Sequence, residues 1–229
     1  MTPDWLDFWS GEQRIYVNDR HRRLHFRDTA EQIIKVAPGP GAHVLDYGPG
    51  DALEAERIAA ECGRLTLCES ATGFREALAA RFAGHDRITV IGPDSLGAIP
   101  DGSVDLIVVN SVVQYLRRDE LDRLLATARR LLSARGRLLV GDVIPQRSGL
   151  VADSLAMLRF AARERFLGAA VRSMAATVFS PYTRARRELG LTRYDPAEMV
   201  GVLAAAGFTA REHRPNLSHN PNRATFVAT

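Results

Sequence analysis

The most constraining stretch of the sequence is HVLDYGPGDAL, residues 43–53. Its apolar start predicts a short buried strand, and this strand ends at an acidic residue, Asp46. Gly48 and Gly50 follow, and a residue without Cβ can take positive φ and let the backbone approach a bound molecule closely. The next residues predict a helix, whose free N–H groups face the same crevice. A strand, an acid, a glycine turn and a helix in this order indicate a nucleotide-binding turn.

Strand and helix patterns then alternate along the chain. After a helix at 51–62 they predict, in order, a strand at 65–68, a helix at 71–82, strands at 88–91 and 104–109, a helix at 118–132 and a strand at 136–140. Strands joined through helices need crossover connections, which favours a parallel sheet covered on both faces. Asp195 as a cap and Pro196 in the first turn predict a further helix that ends at Gly207. The two last strands, at 208–214 and 225–228, have only a loop between them and must run antiparallel. The predicted fold class is α/β: a Rossmann-like, doubly wound, seven-stranded sheet, mostly parallel with an antiparallel C-terminal edge hairpin.

A chain of 229 residues fits one domain, residues 1–229, built around this sheet. Two helical segments are expected beside it: an N-terminal cap at residues 1–36 and an insertion after the fifth strand, at residues 145–190, on the substrate side. The cap carries an aromatic stripe, Trp5, Phe8 and Trp9. This stripe indicates either a helix docked on the core or a lid over the substrate.

Residues 15–27 of the cap are rich in arginine and histidine. His21 and His25 stand at a spacing that can hold a metal on a helix face, but no acid lies between them and the sequence suggests no third ligand, so no metal is expected. Two interpretations stay open: a solvated charged face, or a segment whose Tyr16 and arginines fold over the binding site. Residues 28–36 predict an amphipathic helix before the first strand.

Polar residues follow the end of each predicted parallel strand: Asp46, Glu69, Asp94, Asn110 and Asp142. Ligands of open α/β sheets bind outside the carboxyl ends of the strands, so these side chains mark the expected site. Each one alone is also compatible with a helix cap or a turn.

Between residues 33 and 143 the chain resembles the class I S-adenosylmethionine-dependent methyltransferases of the small-molecule type. The resemblance rests on ordered motifs: VLDYGPGDA, LTLCES, IGPDSL, VDLIVVNSVVQYL and LLSARGRLLVGD. It implies S-adenosylmethionine as the cofactor, with Glu69 on the ribose hydroxyls, Asp46 on the methionine amino group and Asp94 at the adenine edge. Ala52 stands where the family commonly has a third glycine. The cofactor-binding residues that the resemblance implies are Asp46, Tyr47, Gly48, Gly50, Glu69, Ser70, Asp94, Ser95, Asn110 and Ser111.

Methyl transfer from a sulfonium needs no nucleophile from the enzyme, because its positive charge already activates the leaving group. No catalytic residue is therefore assigned. A hydroxyl acceptor would benefit from a general base, and the candidates for the substrate pocket are Tyr16, Tyr115, Asp142 and His219. The sequence lacks the NPPY or DPPY tetrapeptide that in this family accompanies methylation of amide or base nitrogens. The expected partner is a small-molecule acceptor, with lipophilic character left open, and not nucleic acid.

The insertion at 145–190 holds eight arginines against three acidic residues, among many apolar ones. Three interpretations stay open: a cap over the pocket, a surface for anionic lipid or an amphiphilic substrate, and a dimer face. Arginines interrupt every apolar run, so no transmembrane segment is expected, whereas peripheral membrane contact is compatible with this composition. The oligomeric state stays open.

The net charge and the number of cysteines limit the remaining alternatives for the function of the chain. A net charge of +3 is too small to indicate nucleic acid, and the two cysteines suit neither a disulfide framework nor a zinc site. With no basic-then-apolar leader at its start, the chain is expected in the cytoplasm. Two other classes of function compete: a dinucleotide-dependent oxidoreductase, whose third glycine would fall at Leu53, and a non-catalytic binding or scaffold protein of the same fold. A scaffold has no physical need for acids at three successive strand ends, which favours cofactor binding.

Overall fold

The structure is a computed structural model that describes residues 5–9, 16–177 and 181–229. The strands are β1 Ala42–Tyr47, β2 Gly63–Cys68, β3 Ile88–Ile91, β4 Val104–Asn110, β5 Leu132–Val143, β6 Ala210–His213 and β7 Ala224–Ala228. The α-helices are α1 Trp5–Trp9, α2 Asp19–Val36, α3 Ala55–Cys62, α4 Thr72–Arg81, α5 Arg118–Leu131, α6 Leu150–Arg163, α7 Leu167–Thr177, α8 Pro181–Leu189 and α9 Pro196–Ala205. Short 3₁₀ helices lie at Pro93–Ala98 and Val113–Tyr115.

The predicted fold class is confirmed. The seven strands form one sheet in the order β3-β2-β1-β4-β5-β7-β6. Pairs among β1 to β5 are parallel, whereas β7 is antiparallel to both β5 and β6. The hairpin therefore lies at the edge as expected, and β7 alone reverses the direction of the sheet.

Two hydrophobic cores cover the two faces of the sheet. Successive residues of a strand point to opposite faces, so Leu45 and Ile107 pack with α5 and α9, whereas Val44 and Leu106 pack with α2 and α3. A third, smaller cluster lies apart from the sheet and joins α2 to α6 and α7; its buried members are Leu24, Phe160, Ala161, Phe166 and Ala170.

Several predicted boundaries were wrong. Helix α2 begins at Asp19 rather than at residue 28, because Asn18 caps it: the Asn18 side-chain oxygen accepts a hydrogen bond from the His21 N–H at 2.9 Å. Helix α3 begins at Ala55 rather than at residue 51, because positive φ at Gly50 and Ala52 prolongs the glycine turn. The aromatic stripe of the cap lies on a helix at Trp5–Trp9. Residues 1–4 and 10–15 of the cap lie outside the described residues.

Other helix signals were correct. Helix α9 starts at Pro196 behind an Asp195 capping box and is followed by Gly207 at φ 83°, as the sequence predicts. The insertion is helical, since α6, α7 and α8 occupy it. Within the described residues, none of the helices has the length and apolar character that crossing a bilayer requires.

Candidate functional site

A single cavity of about 840 Å³ opens at the carboxyl ends of β1 to β4. Eleven of the predicted site residues line it, namely Tyr16, Asp46, Tyr47, Gly48, Gly50, Glu69, Ser70, Asp94, Asn110, Ser111 and Tyr115. Ser95, Asp142 and His219 are not among its lining residues. The strand exits thus converge as the topology of a parallel α/β sheet predicts.

The glycine turn forms the floor of the cavity. Gly48 takes φ 73°, and a Cβ there would come within 2.6 Å of Cγ2 of Val112, so only glycine allows this approach of β1 to the chain after β4. Gly50 takes φ 58°, and its N–H donates to Oε2 of Glu69 at 3.0 Å. The first motif and the acid after β2 are therefore one connected structure.

Backbone hydrogen bonds fix the Glu69 carboxylate. Besides the bond from Gly50, its Oε1 accepts from the Ala71 N–H at 2.8 Å, and the residue is only 6% exposed. Burial raises the pKa of Glu69, and the hydrogen bonds from Ala71 and Gly50 oppose that rise. The acid is thus held in one orientation, with lone pairs left for hydroxyl groups of a ligand.

Asp46 is a buried acid whose ionised form is unfavourable in its surroundings. Burial, with a smaller contribution from the charge of Glu69, raises its pKa from 3.8 to about 7. A buried acid whose ionisation is opposed by burial and by a second acid favours a cationic ligand group, because a positive charge would relieve both effects. The ammonium and sulfonium groups of S-adenosylmethionine meet this requirement, so the donor set fits the cofactor.

Asn110 lines the cavity, but its side-chain oxygen is not exposed to it. Oδ1 is buried and has no hydrogen-bond partner within the described residues. A Cβ on Gly141 would lie 2.5 Å from this oxygen, so Oδ1 lies against β5 and glycine there allows the close contact. A buried acceptor without a partner is costly, so the end of β4 holds Asn110 in an unfavourable environment.

Asp142 is not among the lining residues, although its charge acts on Tyr16, His25 and Tyr115, which are. Its Oδ2 accepts from the Ser111 hydroxyl at 2.9 Å, and its Oδ1 accepts from the Ser218 hydroxyl at 2.6 Å. Ser111 and Asp142 both take φ 58°, an uncommon conformation for residues other than glycine. Asp142 therefore ties the exits of β4 and β5 to the β6–β7 loop.

Aromatic rings close one end of the cavity. The rings of Trp5 and Trp9 lie 4.7 and 5.5 Å from the Tyr115 ring, measured between centroids. The Tyr115 hydroxyl lies 3.4 Å from that of Tyr182, and the Trp5 indole N–H donates to the Gly190 carbonyl at 3.0 Å. Burial, followed by the neighbouring Tyr182, raises the pKa of Tyr115 well above 10, so its phenol stays protonated at neutral pH.

Sequence reasoning missed His25, which lines the cavity beside Tyr16 at a ring-centroid distance of 5.5 Å. Burial lowers the pKa of His25, against opposing contributions from Asp142 and Asp28, so the imidazole is neutral near pH 7. The available signal was the four-residue spacing of His25, Thr29 and Ile33, all of which line the cavity. This spacing was not recognised because α2 was predicted to begin at residue 28, after His25.

The interpretation of the arginine- and histidine-rich segment as a solvated face was wrong for His21. Its side chain is 4% exposed and stacks on Phe166 at a centroid distance of 5.7 Å. His219 stacks on Phe160 at 4.3 Å and lies 5.0 Å from His21. Burial, then the neighbouring histidines, lowers the pKa of His219 to about 3, which makes it a packing residue at neutral pH. No group of three potential metal ligands occurs in the part of the chain that the structure describes.

Comparisons with known proteins agree with this geometry. Residues 45–140 match a family model described as a methyltransferase domain, and no curated protein matches the chain. The structure of the pyocyanin biosynthetic protein PhzM is similar at TM-score 0.59 and 18% identity, over 99% of this chain and 61% of that one. Human N-acetylserotonin methyltransferase, solved with S-adenosylmethionine, gives TM-score 0.59 and 13% identity, over 97% of this chain and 55% of that one.

A third structure is the 1,6-didemethyltoxoflavin-N1-methyltransferase of Burkholderia thailandensis, solved with 1,6-didemethyltoxoflavin and S-adenosylhomocysteine. It matches at TM-score 0.55 and 15% identity, over 89% of this chain and 76% of that one. The chain spans less than two thirds of the length of the first two structures. At these identities the structural matches establish the fold alone.

The family match identifies a methyltransferase domain over residues 45–140, a type of domain that uses S-adenosylmethionine, and the fold agrees with it. The chain carries that domain at residues 45–140, so the resemblance seen in the sequence is confirmed.

Proposed function

We propose that the chain is an enzyme that transfers a methyl group from S-adenosylmethionine to a small, lipophilic acceptor by in-line displacement. The observation that carries the proposal is the convergence on one cavity of a fixed acid, Glu69, and an unfavourably buried acid, Asp46, with Asn110 beside them at the end of β4. A non-catalytic scaffold gains nothing from keeping these costly groups.

Sheet order supports one orientation of the cofactor. Asp94 follows β3, Glu69 follows β2, Asp46 ends β1 and Asn110 ends β4, and these strands are neighbours in that order. With its ribose hydroxyls on Glu69, the cofactor would place its adenine toward Asp94 and its methionine part toward Asp46 and Asn110. When bound, it supplies a methyl group already activated by a sulfonium charge.

The rest of the cavity supports a lipophilic acceptor. Part of its wall is apolar and aromatic and includes Trp5, Trp9, Phe26, Tyr115 and Leu189, whereas Arg117, Glu120 and Arg123 add charged groups after β4. An apolar wall excludes water and positions a planar or hydrophobic molecule through apolar contact area rather than through charge. Neutral His25 lies in the same cavity and is the side chain best suited to accept a proton from a hydroxyl acceptor.

Calorimetric titration tests the proposal directly. We expect S-adenosylmethionine and S-adenosylhomocysteine to bind in the micromolar range, with no binding of NADH as the control. Transfer of a labelled methyl group to a panel of lipophilic phenols and amines then tests for turnover. Binding of neither sulfur compound would refute the cofactor site, whereas binding without transfer to any acceptor would favour the scaffold alternative. The cytoplasmic location and the exclusion of nucleic acid stay predictions.

A further inference from the structure

The outer faces of α6 and α7 expose aliphatic side chains. Among the described residues, four of the five exposed large hydrophobic side chains lie on these two helices: Val151 at 75%, Leu155 at 47%, Leu167 at 44% and Val171 at 54% exposure. In each helix the two residues are four positions apart and so share one face. Other residues of the same helices, Phe160 and Ala161 of α6 and Ala170 of α7, pack into the third core cluster with Leu24 of α2.

Exposed arginines lie beside these aliphatic residues. Arg159 follows Leu155 by four positions and shares its face, Arg165 lies in the turn between the helices, and Arg172 is next to Val171; all three are exposed. Arg20 of α2 joins them at the α6–α7 turn, where its Nε donates to the Glu164 carbonyl at 2.6 Å. We call Val151, Leu155, Leu167, Val171, Arg159, Arg165 and Arg172 the α6–α7 surface.

Acidic side chains do little to cancel this charge. Asp153 points inward, where it forms an ion pair with Arg223 at 2.7 Å and accepts from the Asn220 side chain at 2.9 Å. Glu164 forms an ion pair with Arg163 at 3.1 Å. Both acids of α6 and the turn are thus matched by other arginines, and the three arginines of the α6–α7 surface remain as surplus charge.

We propose that the α6–α7 surface docks on the headgroup region of an anionic phospholipid bilayer. Guanidinium groups bind phosphate oxygens in a bidentate manner, while exposed valine and leucine side chains insert between the headgroups, as in other helices that lie in the membrane interface. A second copy of the chain fits less well, because a two-fold interface would set arginines against arginines. This inference does not depend on the proposed methyltransferase activity.

Vesicle co-sedimentation of the full chain tests the proposal. We expect binding to vesicles of phosphatidylcholine with phosphatidylglycerol, at least about tenfold weaker binding to pure phosphatidylcholine, and loss of binding at about 0.5 M salt. The variant Val151→Ser/Leu155→Ser and the variant Arg159→Gln/Arg165→Gln/Arg172→Gln should each lower the partition coefficient about tenfold or more.

A matched control variant distinguishes an effect of the α6–α7 surface from an effect of the net charge of the protein. The variant Arg87→Gln/Arg135→Gln/Arg211→Gln removes the same charge at exposed positions elsewhere and should bind vesicles like the parent chain. Thermal unfolding and circular dichroism establish that each variant is folded. Equal binding to neutral and anionic vesicles, or equal loss in the control variant, would overturn the proposal. The proposal would also be overturned if the parent chain did not bind vesicles and formed a dimer, while the variant Val151→Ser/Leu155→Ser was a monomer.

Discussion

The Glu69 side chain should contribute strongly to ligand affinity in this site. It accepts two backbone hydrogen bonds and presents its remaining lone pairs to the cavity. We predict that Glu69→Ala weakens binding of S-adenosylhomocysteine by about 1.5 to 3 kcal/mol, the size expected for charge-assisted hydrogen bonds to two hydroxyls. Calorimetry measures the change, and Glu56→Ala, an exposed acid of α3, is the control. Unchanged affinity in Glu69→Ala would refute the ribose assignment.

Asp46 should link stability to pH. Its pKa is 3.8 in an unfolded chain and about 7 in the fold, so the folded state holds a proton more tightly between these values. The free energy of unfolding of the unbound protein therefore falls as the pH rises through that window. We predict that Asp46→Asn removes this fall, which makes the unbound variant more stable than the parent at about pH 8 by an amount on the order of 1 to 4 kcal/mol.

Urea unfolding of both proteins at about pH 4 and pH 8 measures this difference. The same variant should bind S-adenosylhomocysteine more weakly, because the amide carries no charge for the ligand's ammonium group. A variant that gains stability equally at both pH values would show that Asp46 does not titrate as described.

Most of the predicted residues that line the cavity lie at or near strand ends, whereas in other parts of the chain Tyr16 and Tyr115 were predicted and His25 was missed. Glu69 and Asn110 follow apolar strands, and the topology of a parallel sheet brings such positions to one edge. His25 lies on α2, whose approach to the cavity depends on long-range packing. Asp142 was expected in the pocket but is held by Ser111 and Ser218, a contact that no local pattern encodes.

At the scale of elements, helix caps decided which boundaries were predictable. The Asp195 box preceding α9 is a strong local signal, and that helix was placed correctly. Asn18 is an equally good cap for α2, but the arginines after it hid the helical spacing of its buried residues, of which Leu24 and Ile33 face two different cores. Charged residues on one face of a helix mask periodicity that is counted from hydrophobic residues alone.

The docking of α2 on α6 and α7 should be sensitive to acid. Burial, then the nearby His25, lowers the pKa of His21 from 6.5 to about 4, so the unfolded chain takes up a proton that the folded chain resists. Stability is therefore complete above pH 6.5 and declines as the pH falls toward 4. We predict that His21→Phe, which preserves stacking on Phe166, reduces this decline.

Thermal unfolding between pH 7 and pH 5 measures the effect as a smaller drop in midpoint for the variant than for the parent. His85→Phe is the control, since that histidine lies outside the cluster, next to β3. An identical pH dependence in His21→Phe and in the parent would show that protonation of His21 does not oppose docking.

At the scale of the whole molecule, three cores divide the structure into units of unequal stability. The two cores on the sheet share its strands and so support each other, whereas the third joins only α2, α6 and α7. Segments with few buried contacts open without the rest of the fold. We therefore expect amide hydrogen exchange to be faster in α6 and α7 than in β4 and β5.

The variant Phe226→Ala distinguishes local from global opening. Phe226 is fully buried in β7, and its truncation should lower the free energy of global unfolding by about 3 to 5 kcal/mol. Amides of β4 and β5, which exchange through global unfolding, should lose that much protection. Amides of α6 and α7 should keep theirs, because their local opening leaves Phe226 packed. Phe166→Ala, within the third core, should lower protection in α6 and α7 themselves. Equal loss in helices and strands on Phe226→Ala would mean that the insertion and the sheet unfold as one cooperative unit.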